Sequence, residues 1–242
     1  MCKPEEMFIS IRPLLEVRLF IYDLLRCTFI QEPNLEFLTN IKASIATTEF
    51  PFTQENQSIL EGINQIKKYI SHNDILSETV CDRLHWDYTR LFIGPYELPA
   101  PLWESAYCNE ERLLFQKETL EVRRAYLKYF FLPVEFGAEA DDHLGLELDF
   151  MVRLNDLALT EIDNKDIKLL KQILTDQKLF LEEHLLRWVP SLCNDIINNA
   201  QTEFYQGMAN LTRGFLTLDQ KALHELLGIV LQFDSQVVGG EI

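Results

Sequence analysis

Residues 166–186, DIKLLKQILTDQKLFLEEHLL, decide the fold class. Ile167, Leu170, Leu174 and Leu181 recur at helical spacing, so the segment has one apolar stripe and reads as an amphipathic helix. Moving outward, the same period recurs on both sides. Towards the N-terminus, Pro13 fits the first turn of a helix carrying Leu14, Leu15, Val17, Leu19, Phe20, Leu24 and Leu25. Pro33 opens a second with Leu35, Leu38, Ile41 and Ile45. Thr53 is a candidate cap for a third, striped by Ile59, Ile63, Ile66 and Ile70. Asn73 or Asp74 starts a fourth that runs towards Phe92. A long helix is expected from about Glu110 to Phe130, and another begins near Asp141, with Asp141 as its cap and Asp142 and His143 in its first turn. Beyond residue 186, Pro190 reads as a helix start, and Asp219 as the cap of a last helix bearing Leu223, Leu226, Leu227 and Val230. No β-branched run alternates with polar residues long enough to make a strand. The expectation is all-α: one helical domain over residues 1–242, of eight to ten helices.

Composition excludes several functions. The 242 residues hold 22 Lys+Arg against 38 Asp+Glu, a net charge of −16. Nothing there could neutralise nucleic-acid phosphates or an anionic membrane surface. With 47% hydrophobic residues the chain can build a core, which argues against disorder. Acids and bases interrupt the apolar stretch Leu14 to Ile30, so it is an amphipathic helix and not a membrane span. Five scattered cysteines without a C-x-x-C pair read as reduced thiols of a cytoplasmic protein.

One stretch breaks the helical pattern. In Gly94-Pro95-Tyr96-Glu97-Leu98-Pro99-Ala100-Pro101-Leu102-Trp103 the three prolines lack N–H groups and push their predecessors out of the α region. The window from Trp86 to Tyr107 holds Trp86, Tyr88, Phe92, Tyr96, Trp103 and Tyr107, which suits either a bundle plug or a rigid binding loop. Catalytic patterns are missing: there is no G-x-S-x-G, no phosphate loop and no dinucleotide-binding turn. A metal-dependent hydrolase could be imagined from Asp142, His143, Glu147 and His184, but their spacing matches no known ligand pattern. Binding is expected rather than turnover, with no catalytic residue, metal or cofactor.

Two segments carry a resemblance. Tyr88-x-Arg90-Leu91-Phe92-x-Gly94-Pro95, followed by Pro99-Ala100-Pro101-x-Trp103-Glu104-Ser105-x-Tyr107, resembles the signature of the TorD/DmsD/NarJ chaperones of redox-enzyme maturation. Glu139-x-Asp141-Asp142-His143-Leu144 is similar to their second motif, and His184-Leu185, Trp188 and Phe204-Tyr205 to a third block. Ala140 stands where a proline is common, and Tyr88 and Tyr96 stand where the most similar subgroup tends to have Trp. The resemblance implies an all-helical cytoplasmic chaperone that is not an enzyme. Its partners would be the twin-arginine leader peptide of a molybdenum-containing, DMSO-reductase-like catalytic subunit, and that enzyme itself. Export would be delayed until the cofactor is inserted. It implies a leader site made of Tyr88, Leu91, Phe92, Tyr96, Leu102, Trp103, Asp142 and His143. It also allows a monomer or a helix-exchanged dimer, and, as the alternative, an assembly factor of the same fold that grips a folded partner without its leader.

Charge distribution fits a receptor for arginines. Gly94–Glu111 holds four acids and no base. Glu135–Asp156 holds seven acids (Glu135, Glu139, Asp141, Asp142, Glu147, Asp149 and Asp156) against Arg153 alone. If the proline loop and the second motif are neighbours, aromatics would take the leader's apolar part and carboxylates its arginines.

Overall fold

The computed structural model describes residues 4–46, 49–95, 97–132 and 139–238. These residues form ten α-helices: α1 Pro4–Phe29, α2 Leu35–Ala46, α3 Gln57–His72, α4 Glu78–Tyr88, α5 Ser105–Cys108, α6 Lys117–Lys128, α7 Leu144–Asn164, α8 Ile167–Phe180, α9 Leu186–Asn199 and α10 Glu203–Val238. Wide, π-type turns follow α4 (Thr89–Ile93) and α8 (Leu181–Leu185). Among the described residues there is no strand; Trp103 and His143 form an isolated antiparallel bridge. The all-α expectation holds.

Helix α10 is the hub, packing against α1, α3, α8 and α9, while α1 also packs along α7. Buried side chains from α1 to α10 join in one apolar core. The tightest seam is α3 against α10. A methyl group on Gly62 would come within 2.6 Å of the Gly207 carbonyl oxygen, and one on Gly207 within 2.8 Å of the Gly62 oxygen. Only hydrogen at both positions lets the two backbones approach this closely.

Several helix boundaries differ from those expected. Pro13 lies inside α1 rather than at its start. It and Ile9, whose carbonyl loses its partner, are both exposed, so solvent can serve the freed group. Asn56, not Thr53, caps α3, its Oδ1 accepting from Ser58 N at 2.9 Å and Ile59 N at 3.2 Å. Helix α4 starts after Ser77 rather than at Asn73 or Asp74. Pro190 is inside α9, just past the wide turn. The long helix expected over 110–130 is broken. Arg112 and Phe115 adopt positive φ (52° and 57°), and Asn109 holds the bend by accepting from Leu113 N at 2.9 Å and donating to Leu113 O at 3.0 Å.

Asp219 caps nothing; it lies in the middle of α10 and is buried. Its carboxylate accepts from Arg18 Nε at 2.5 Å, Arg18 Nη2 at 3.0 Å and Tyr22 Oη at 2.7 Å. The same guanidinium donates to Asn155 Oδ1 at 2.7 Å, and Asn155 donates to Leu15 O at 2.6 Å. This network joins α1, α7 and α10. A second buried carboxylate, Asp87, positions the start of α10. It accepts from Thr202 N at 2.9 Å, Thr202 Oγ1 at 2.7 Å and Gln201 N at 3.0 Å, and pairs with Arg90 at 2.9 Å.

Candidate functional site

The proline-rich segment leaves the wide turn at Gly94, whose φ of 109° and ψ of −166° only glycine adopts without strain. The strap then folds back, with Ala100 N donating to Leu91 O at 3.3 Å. It next meets the second motif edge to edge. Leu144 N donates to Leu102 O at 2.8 Å, and Glu104 N to Asp142 O at 3.0 Å. The two motifs are therefore neighbours, as the charge argument required.

Side chains lock this junction. Asp142 is fully buried, accepting from Ser105 N at 2.9 Å and from Thr119 Oγ1 at 2.8 Å. It ties the strap to both α6 and α7. Asp141 pairs with Arg123 at 2.5 Å, and Tyr126 donates to the Asp141 carbonyl at 2.9 Å. The half-buried Trp103 sets its ring 5.5 Å from His143 and donates Nε1 to Glu139 Oε1 at 2.8 Å.

His143, rather than Asp141, is the cap of α7, its Nδ1 accepting from Gly145 N at 3.1 Å. Burial pushes its pKa down to about 4, against the opposing pull of Glu139 and Asp142. The ring is neutral at pH 7. Since Nδ1 accepts, the hydrogen is assigned to Nε2.

Of the expected leader residues, the structure brings Leu102, Trp103, Asp142 and His143 together. Tyr88, Leu91 and Phe92 are buried beneath the strap. There Tyr88 donates to Phe29 O at 3.1 Å, and its ring contacts Phe92 and Tyr205 at 4.9 and 6.1 Å. Tyr96 lies outside the described residues. The third block buttresses the first two. His184 Nδ1 bonds Glu104 at 2.8 Å, Trp188 donates to Glu147 at 3.3 Å, and Tyr205 packs on Tyr88 and Phe92.

Burial sorts the acids of the two windows. Glu104, Asp141, Asp142 and Glu147 are buried and engage donors of the chain itself, so they do not face solvent as arginine receptors. Glu135 lies outside the described residues. The carboxylates left exposed around the strap are Glu97, Glu110, Glu111 and Glu139. Glu97 and Glu111 line a groove of about 260 Å³ with Leu98, Pro101, Trp103, Ala106, Arg112 and Leu114. Spacing does not single out Leu98, Glu111 or Leu114; the acid-rich, base-free character of 94–111 points to the first two only, and nothing in the sequence marks Leu114. Among the described residues no group of three His, Cys, Asp or Glu could hold a metal.

Burial, reinforced by Glu104 and Asp142, raises Glu147 well above the ordinary carboxylate range, which favours the neutral carboxyl. A raised folded-state pKa means that folding takes up a proton. That contribution is whole below the unfolded value and is lost as pH rises through the folded one. Glu147→Gln keeps an acceptor for Trp188 and abolishes the ionisation. The variant is expected to gain stability relative to wild type as pH rises above the unfolded carboxylate value, measured by urea unfolding. Parallel pH profiles would show Glu147 to be ionised in the fold.

Residues 54–194 match the family described as nitrate reductase delta subunit. The chain is 28% identical over 201 residues to a Haemophilus influenzae protein named "Probable Tat proofreading chaperone DmsD", covering 83% of this chain and 89% of the relative. It is 26% identical over 209 residues to "Chaperone protein TorD" of Aliivibrio salmonicida, covering 86% and 95%. Over a shorter span of 134 residues it is 33% identical to "Tat proofreading chaperone DmsD" of Salmonella typhi, covering 55% and 57%.

Proposed function

Since the chain belongs to the nitrate reductase delta subunit family and is a redox-enzyme maturation chaperone, not an enzyme, we propose that it captures the twin-arginine leader of a molybdenum-containing, DMSO-reductase-type enzyme. Capture takes place in the cytoplasm and delays export until that enzyme has folded around its cofactor. The observation that carries this reading is the groove beside Trp103, lined by apolar side chains together with Glu97, Glu111 and Arg112, whose guanidinium pairs with Asp195. A twin-arginine leader is an arginine pair followed by an apolar run, so its receptor needs carboxylates next to an aromatic trough. Each charge-assisted contact contributes about 1.5–3 kcal/mol where partly desolvated.

In this reading the eight motif residues divide by task. Trp103 meets the peptide, with the buried Leu102, Asp142 and His143 holding it in place from behind. Tyr88, Leu91 and Phe92 form the rigid base, and Tyr96 enters through its place in the motif. Calorimetric titration with a synthetic twin-arginine leader peptide tests this. Trp103→Ala is expected to weaken binding about 10- to 100-fold, the scale of losing one aromatic anchor. Glu97→Gln combined with Glu111→Gln should weaken it further and flatten its salt dependence. Unchanged affinity in both variants would remove the groove as the leader site.

A further inference from the structure

Arg112 is the one base among the described residues that line the groove beside Trp103. It sits on the bend that Asn109 pins, and its guanidinium meets three separate parts of the chain. Nη2 lies 3.4 Å from Asp195 Oδ2 on α9, and Nη1 lies 3.5 Å from the Leu98 carbonyl oxygen on the strap. The guanidinium carbon stands 5.6 Å from the centre of the Tyr107 ring on α5. Tyr107 in turn donates its hydroxyl to the same Asp195 Oδ2 at 3.0 Å, which fixes ring and carboxylate against each other. A carboxylate, an aromatic face and a main-chain carbonyl are together what a guanidinium needs: a counter-charge, a stacking surface and a further acceptor.

This receptor has a loose occupant. Charge-assisted N–H···O bonds are ordinarily ~2.7–2.9 Å long, and nearby Arg123 reaches Asp141 at 2.5 Å. Arg112 stays at 3.4 and 3.5 Å, with 43% of its side chain exposed and 30% of that of Asp195. A pair this open to water binds weakly. The backbone beneath it, with φ of 52°, is one that L-residues disfavour. When the side chain swings out, Asp195 is released to a groove whose remaining charged groups are the exposed Glu97 and Glu111.

We propose that Asp195, the Tyr107 ring and the Leu98 carbonyl form an arginine subsite at the edge of this groove, which Arg112 occupies in cis and yields to an arginine of the leader. The subsite presupposes leader capture in the groove and adds an autoinhibitory contact to it. A leader must displace Arg112, so its apparent affinity is lowered to the fraction of chains in which Arg112 has swung out. The contact also selects, because lysine lacks the planar fork and stacks less well on a ring.

Calorimetric titration of wild type, Arg112→Ala, Asp195→Asn and the double variant tests this. Two probes are used: a synthetic twin-arginine leader peptide, and the same peptide with both arginines replaced by glutamine. R112A is expected to bind the arginine peptide about 10-fold more tightly than wild type, the scale of removing an occupant present about nine times in ten. Arg112→Gln, which keeps a long side chain over the ring but loses the charge, should show the same gain. The glutamine peptide should gain nothing, having no guanidinium to compete. Asp195→Asn should weaken the arginine peptide's binding to R112A about 10-fold, and in the D195N background removal of Arg112 should bring no gain. An equal gain for both peptides would mean that R112A merely opens the groove, and would overturn the proposal. So would equal affinity of wild type and R112A for the arginine peptide, a result that leaves leader capture standing. An arginine peptide that binds neither protein would remove leader capture itself, and this subsite with it.

Discussion

Asp219→Ala is expected to destabilise the fold by about 3–5 kcal/mol, the cost of leaving a buried guanidinium without its counter-charge. Arg18 is wholly enclosed, and the aspartate takes two of its donors together with the Tyr22 hydroxyl. Removing that carboxylate strands all three. Loss of this size is a large part of a domain's net stability, commonly ~5–15 kcal/mol. The reciprocal change, Arg18→Met, strands a carboxylate and should cost a comparable amount. Replacing both partners by apolar residues of similar volume should recover much of the loss, because neither charge then has to be desolvated. A double-mutant cycle in urea gives the coupling directly. Additive single and double effects would mean that the pair is not coupled.

Asp87→Ala is the second large effect, expected at about 3–4 kcal/mol from the donors it would leave unpaired. Here the loss is local in origin. The carboxylate collects Gln201 N, Thr202 N and Thr202 Oγ1 at the point where the chain turns from α9 into α10. Without it the first turn of α10 frays, and Tyr205, which supports Tyr88 and Phe92, loses its footing. Asp87→Asn retains one acceptor oxygen and should fall between alanine and wild type. Hydrogen exchange distinguishes the two large variants: Asp87→Ala should expose amides first around residues 201–206, whereas Asp219→Ala should loosen α1, α7 and α10 together. Uniform acceleration in both would argue against a local role for Asp87.

What could be read from the chain divides along the range of the interactions. Periodicity is local, and Ile59, Ile63, Ile66 and Ile70 mark the buried face of α3, as expected. The prolines of 94–103 are local too, and that segment is not helical. Caps and breaks depend on what lies across the fold. Thr53 and Asn56 are both chemically suited to cap α3, but Asn56 also donates to Gly214 O at 3.2 Å, a partner 158 residues away. Asp219 looks like a cap because a lone acid at the head of an apolar stripe usually is one. Its partner Arg18 is on the first helix, 201 residues earlier. The site shows the same division. Motif order located the strap and its neighbour, and acid counts marked the two windows that the fold brings together. Which carboxylates face solvent was set by Thr119, Arg123, His184 and Trp188, all outside the two acid-rich windows. Glu97 and Glu111 differ from Glu104 in sequence context hardly at all, and only packing separates them.

The crossing at Gly62 and Gly207 constrains how this protein can change over generations. Most of the core is side chain against side chain, and a lost methylene there can be absorbed by neighbouring rotamers. At this seam backbone meets backbone, so no rotamer exists to adjust. A single mutational step to alanine at either position must push two helix axes apart, and α10 would carry that shift to α1, α8 and α9 at once. The two glycines are thus expected to stay fixed while the surrounding leucines and isoleucines drift. In any descendant that has lost one of them, the interaxial distance of the whole bundle should be found reset.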